Sequence, residues 1–99
     1  MYTISSKLYH HVATLLVDLA GQRGYYSGTI EFEFEELFCQ MTLSAVVYHQ
    51  SQPDEGYKSC AVTDMIPVWW EFHTYCDEEE LLNDFSFNEL RCYIHQPAP

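Results

Sequence analysis

Two hydrophobic periods divide this chain. Over residues 4–20, Ile4, Leu8, Val12, Leu15, Leu16 and Leu19 recur at steps of three and four, while Lys7, His10, Thr14 and Asp18 take other faces. That spacing predicts an amphipathic helix. Thr3 or Ser5 suits its N-cap, and Gly21 or Gly24 supplies the residue of positive φ that stops it. His10 and His11 stand about 100° apart on such a helix, so both belong at its edge, partly exposed.

After the connection Gly24-Tyr25-Tyr26-Ser27-Gly28 the period becomes two. Ile30, Phe32 and Phe34 alternate with Glu31, Glu33 and Glu35, which predicts a half-buried strand over 28–35. A second strand over 37–49 sets Leu37, Cys39, Met41, Leu43, Ala45 and Val47 against Phe38, Gln40, Thr42, Ser44, Val46 and Tyr48. Residues opposed in a hairpin share a face. A two-residue loop at Glu35-Glu36 pairs Phe34 with Leu37, and a four-residue loop pairs it with Cys39. Both oppose apolar to apolar, although Glu-Glu lacks the glycine that a tight primed turn prefers. Gln50 to Lys58 reads as a loop, with Pro53-Asp54-Glu55-Gly56 suited to a turn.

The third strand, 60–76, organises the rest. In its stretch Met65 to Cys76, alternation puts Ile66, Val68, Trp70, Phe72 and Thr74 on one side and Trp69, Glu71, His73 and Tyr75 on the other. The first set is a core row. Pro67 donates no ladder hydrogen bond, so it marks an edge position or a bulge. Asp77-Glu78-Glu79 reads as a turn into a fourth strand over 80–84, with a helical first turn as the alternative. Ser86-Phe87-Asn88-Glu89 then has the form of a capping box, flanked by Phe85 and Leu90 at hydrophobic-staple positions. It predicts a helix over 87–95 that buries Leu90, Ile94 and Phe87, and Pro97 and Pro99 leave 96–99 as a tail.

The expected fold is α+β, in one domain over residues 1–99. An N-terminal helix, a three- to four-stranded antiparallel meander and a C-terminal helix form a two-layer sandwich. Both helices then cover one sheet face. The other face, bearing Glu31, Glu33, Phe38, Val46, Tyr48, Trp69, Glu71, His73 and Tyr75, has no layer of its own.

Composition sharpens this picture mainly through charge. The 99 residues carry fifteen Asp and Glu against four Lys and Arg, a formal net charge of −11. Such a surface repels nucleic acid and anionic membranes and favours basic partners. No signal peptide is visible in residues 1–20, and no apolar run approaches the ~20 residues of a membrane span. Cys39, Cys60, Cys76 and Cys92 lie far apart without CxxC spacing, as expected of reduced, mostly buried thiols in the cytoplasm.

Candidate chemistry is sparse. His73-x-x-Cys76 and Cys92-x-x-His95 have the ligand types of a zinc site, but positions three apart on a continuous strand face opposite ways. Glu31, Glu33 and Glu71 with His73 would need a concave, partly dry pocket to act as acid and base. No nucleophile motif, P-loop, GxGxxG or EF-hand loop is present, and nothing calls for a cofactor. Trp69, Tyr75, Tyr48 and Phe38 on an uncovered face point instead to an interface, since Tyr and Trp concentrate at interface centres. The expectation is a non-enzymatic interaction module whose face (Phe38, Tyr48, Trp69, Glu71, His73, Tyr75, Glu31, Glu33) binds a second copy or a basic protein. Two alternatives remain. One is an acidic inhibitor imitating nucleic acid, with Glu31, Glu33 and Glu35 spaced ~7 Å apart along a strand. The other is a small enzyme using His73 and Glu71.

Overall fold

A computed structural model describes residues 1–52 and 59–95. Its first helix, α1 (Ser6–Ala20), begins where Ser5 Oγ accepts the Leu8 N–H at 3.2 Å. It ends at Gly21, whose φ of 55° favours a residue without Cβ and whose N–H bonds the Val17 carbonyl. Ile4, expected inside the helix, precedes it, and its N–H donates to Asp84 Oδ1 at 2.7 Å. The buried stripe is Leu8, Tyr9, Val12, Ala13, Leu16 and Ala20. Leu15 and Leu19 sit at its rim, Leu19 exposed, because the helix is rotated towards Tyr9. His10 is exposed, and His11 lies half-buried against Phe32 and Phe34.

Strands β1 (Tyr25–Phe34) and β2 (Leu37–Gln52) pair antiparallel with Phe34 opposite Leu37 and Phe32 opposite Cys39. The two-residue loop is therefore the one used. Glu35 and Glu36 have φ of 47° and 73°, as a type I′ turn demands, in residue types for which that conformation is costly. The strand begins three residues earlier than its alternation suggests. Tyr26 is buried and lies over Gly28, where an added Cβ would come within 3.2 Å of the Tyr26 hydroxyl.

Pro67 makes a bulge in β3 (Ser59–Cys76). Leu43 pairs with Trp70 and Ser44 with Trp69, but Ala45 pairs with Pro67, so Val68 is the extra residue. Parity reverses there. Trp70, Phe72 and Thr74 face the helices as expected, whereas Ile66 and Val68 do not. Met65 takes the core position and is fully buried, while Val68 is 68% exposed. A second shift follows between Tyr48 and His49. β2 and β3 also run further than expected, to Gln52 and from Ser59. The turn at Pro53-Asp54-Glu55-Gly56 and the tail 96–99 lie outside the described residues.

β4 (Glu79–Leu81) is shorter than expected and begins one residue earlier, with Cys76 opposite Glu79. Its turn repeats the first, with Asp77 and Glu78 at φ of 50° and 69°. After Leu81 the chain pairs with its own N-terminus. Tyr2 N–H donates to the Leu82 carbonyl at 2.7 Å, and the Asp84 N–H donates to that of Tyr2 at 3.2 Å. Asn83 binds the free edge of β3 through the Phe72 carbonyl and Thr74 Oγ1, and its Oδ1 accepts the Phe85 N–H. These contacts hold the chain in place before α2 (Phe87–His95). The capping box is altered: the Ser86 N–H, expected to meet Glu89, donates to Tyr9 Oη at 3.0 Å.

The sheet order β1-β2-β3-β4 is a meander, and both helices pack on one face. This is the α+β two-layer arrangement expected. Phe87, Leu90 and Ile94 are buried as predicted. Phe85 stacks on Phe72 with centroids 4.2 Å apart, touches Tyr9 and Trp70, and lies beside the stacked pair Tyr9–Tyr93. Arg91 adds a two-point ion pair to Asp64 (3.0 and 2.7 Å) that fastens α2 to β3 near the second register shift. Among the described residues no helix is long and apolar enough to cross a membrane.

Two outcomes follow for stability. Phe85→Ala should cost about 3–5 kcal/mol in denaturant melts, because it leaves a cavity between three elements. Replacing the strained turn with Glu35→Asn and Glu36→Gly should raise stability by about 1–2 kcal/mol in the same assay.

Candidate functional site: the uncovered sheet face

Alternation along the strands puts a set of side chains on the face opposite the helices, and the register arranges them in rows. Glu33, Phe38, Tyr75 and Glu80 form the row nearest the two turns. Glu31, Gln40 and His73 follow, then Thr29, Thr42 and Glu71, then Ser27, Ser44 and Trp69, then Tyr25, Val46 and Ile66. All eight interface candidates read from the sequence (Glu31, Glu33, Phe38, Tyr48, Trp69, Glu71, His73 and Tyr75) lie on this face.

The face is not one continuous aromatic row. Trp69, 59% exposed, sits with Val68, Ile66, Val46, Tyr25 and Tyr48 at one end. Phe38 and Tyr75, with ring centroids 6.1 Å apart, sit at the other. Six residues of extended strand separate Trp69 from Tyr75, about 20 Å. Polar rows fill the interval, closed by hydrogen bonds between Ser27 and Ser44 (3.0 Å) and between Thr29 and Thr42 (3.1 Å). Tyr25, Ile66 and Val68 join the first patch unforeseen. The signal for Ile66 and Val68 was present in Pro67, because a bulge there reverses the parity of everything before it.

His73 lies between two carboxylates, with Nδ1 3.0 Å from Glu80 Oε2 and Nε2 3.7 Å from Glu71 Oε1. All three side chains remain a third to a half exposed. The imidazole thus spans acidic groups on β3 and β4 across a wet surface. The expected row of Glu31, Glu33 and Glu35 is shorter than its alternation implies, since Glu35 has left the strand for the turn.

Both type I′ turns lie at the same end of the sheet and carry Glu35, Glu36, Asp77 and Glu78. Between them opens a groove of about 480 Å³, lined by Phe38, Tyr75, Leu37 and Gln40 and by the carboxylate residues Glu33, Glu36, Asp77 and Glu78. Glu71 and His73 do not line it. The groove itself carries no sequence signal, because hairpin geometry alone brings the two turns side by side.

Three of the four zinc-type ligands, His73, Cys76 and Cys92, are not gathered, and the side chain of His95 lies outside the described residues. His73 is on the open face, Cys76 packs against the core on the other, and Cys92 is exposed on α2 with its Sγ on the Asn88 carbonyl. Among the described residues no group of three or more His, Cys, Asp or Glu could hold a metal ion. Cys39, Cys76 and Cys92 are free thiols, of which only Cys39 is fully buried. Compared with known protein families, curated proteins and solved structures, the chain matches none.

The thiols make a direct check of which face is covered. Burial under the helices pushes the Cys39 thiol up from its ordinary 9.0 to about 11. Between these values the unfolded chain releases a proton that the folded chain retains, so this group's contribution to stability falls as pH rises through that window. Iodoacetamide should label Cys92 rapidly in the native protein and Cys39 only on unfolding, read by mass spectrometry. Alkaline melts should show an added loss of stability above pH ~9 that Cys39→Ala removes.

Proposed function

We propose that this chain is a non-enzymatic protein-interaction module acting in the cytoplasm through its uncovered sheet face, with a second copy or a basic protein as partner. The observation that carries the reading is the exposure of Trp69, Val68, Tyr25 and Tyr48 around Val46 and Ile66 on a face that neither helix covers. Burying an exposed apolar patch of this kind is the main source of association energy, and aromatic anchors supply much of it. Glu31, Glu33, Glu71 and the acidic residues 77–80 form a rim that orients a partner and rejects anionic ones. With a net charge of −11, neither nucleic acid nor an anionic membrane suits this surface. The acid/base reading of Glu71 and His73 is weaker, because both lie outside the groove and in water.

A second reading has one observation in its favour. The four acidic residues of the two turns add to Glu31 and Glu33 to make one end of the sheet a concentrated anionic surface, as an inhibitor imitating nucleic acid would need. Pull-downs at low salt that recover no nucleic-acid-binding protein would remove it.

The two adjacent tryptophans test the first reading. Trp69→Ala should leave the melt within about 0.5 kcal/mol of wild type, because the side chain is mostly in water. It should weaken any assembly through this face by about 2 kcal/mol, read by sedimentation equilibrium or partner titration. Trp70→Ala should do the opposite, costing about 2–4 kcal/mol of folding stability through lost packing on Phe85 and Phe87. Wild-type assembly retained in Trp69→Ala would dismiss this patch as the interface.

A further inference from the structure

We propose that the groove between the two type I′ turns receives an arginine side chain of a basic partner protein. This rests on the interaction-module reading for the existence of a partner, and it selects the basic protein over the second copy at this end of the sheet.

Three features of the groove fit arginine in particular. Its apolar surface includes two aromatic rings: Phe38, 39% exposed, lies beside Tyr75 with centroids 6.1 Å apart. A guanidinium stacks on such rings, and its three-carbon stem covers them. Glu33, Glu36, Asp77 and Glu78 surround that surface, and none of them takes part in the ion pairs formed among the described residues. Planar, forked donors meet carboxylates at two points, which an ammonium group does not. The volume of about 480 Å³ is enough for one such side chain together with the backbone that carries it.

Charge decides against a second copy. Each chain brings −11 and only four Lys and Arg in all, and Arg91 is already engaged by Asp64. A homodimer at this end would set acidic turn against acidic turn. The Trp69 patch, about 20 Å away along the strand, has no such restriction, so the two ends of the face differ in what they admit.

The test uses the full chain and fluorescein-labelled nona-arginine and nona-lysine, followed by anisotropy at low and at physiological salt. Wild type should bind nona-arginine about fivefold more tightly than nona-lysine, and Phe38→Thr should abolish that preference while retaining a cooperative melt. Should Phe38→Thr fail to fold, Tyr75→Thr carries the same test. Glu36→Gln with Glu78→Gln should weaken nona-arginine about tenfold, against less than about twofold for Asp18→Asn with Glu89→Gln, which removes equal charge from the helical layer. Equal losses in the two double variants, or equal binding of the two peptides, would overturn the proposal in favour of diffuse attraction. Spermine competing as effectively as nona-arginine would assign the groove to small polyamines, and self-association lost in the groove variants would assign it to a second copy; either overturns it. Trp69→Ala tests assembly through the other end of the face. Assembly lost in that variant while the groove variants bind peptide normally would sustain the interaction-module reading and sink this proposal alone.

Discussion

The stack of Phe85 on Phe72 is the contact on which the arrangement of layers depends. Phe85 stands immediately before α2, and Phe72 lies on the inner face of β3, so their contact fixes where the second helix begins over the sheet. Tyr9 extends the same cluster into α1, and its hydroxyl accepts the Ser86 N–H that the helix would otherwise leave open. Burial raises the Tyr9 phenol above its ordinary value. Two helices that are distant in sequence are therefore set side by side on one face by a few aromatic rings. The opposite face is left bare for the same reason.

How that bare face is populated depends on Pro67. A proline in the middle of a paired strand would forfeit a ladder hydrogen bond, and the bulge at Val68 accommodates it. The reversal of parity moves Met65 inward and Ile66 outward, so the outer patch around Trp69 owes part of its composition to a backbone irregularity. Bulges and prolines also blunt exposed strand edges. Here the bulge leaves Val68 and Trp69 projecting where the much shorter β4 gives β3 no neighbour.

Acidic residues dominate the other end of the face through hairpin geometry. Both hairpins close with two-residue turns that hold non-glycine acidic residues at positive φ. That conformation favours glycine or asparagine, so each turn is less stable than its shape allows. The carboxylates nonetheless project beside Phe38 and Tyr75, where an apolar surface and a strong negative potential coincide.

Much of the fold was legible in local pattern. The three- and four-residue steps of Leu8, Val12 and Leu16 mark α1, and the alternation of Ile30, Phe32 and Phe34 with glutamates marks the inner and outer sides of β1, because side-chain direction follows backbone period. The same rule placed Glu31, Glu33, Phe38, Glu71, His73 and Tyr75 on one face, and charge counts described the surface they share. What local pattern could not reach depends on partners far apart in the chain. The Tyr2–Asn83 bridge, the exchange of Glu89 for Tyr9 at Ser86, and the inward turn of Met65 all arise from contacts or register shifts with segments that no short window contains. The groove is of this kind as well. Three of its four carboxylates, Glu36, Asp77 and Glu78, belong to two turns about forty residues apart, brought together only because antiparallel strands return to the same end of a sheet.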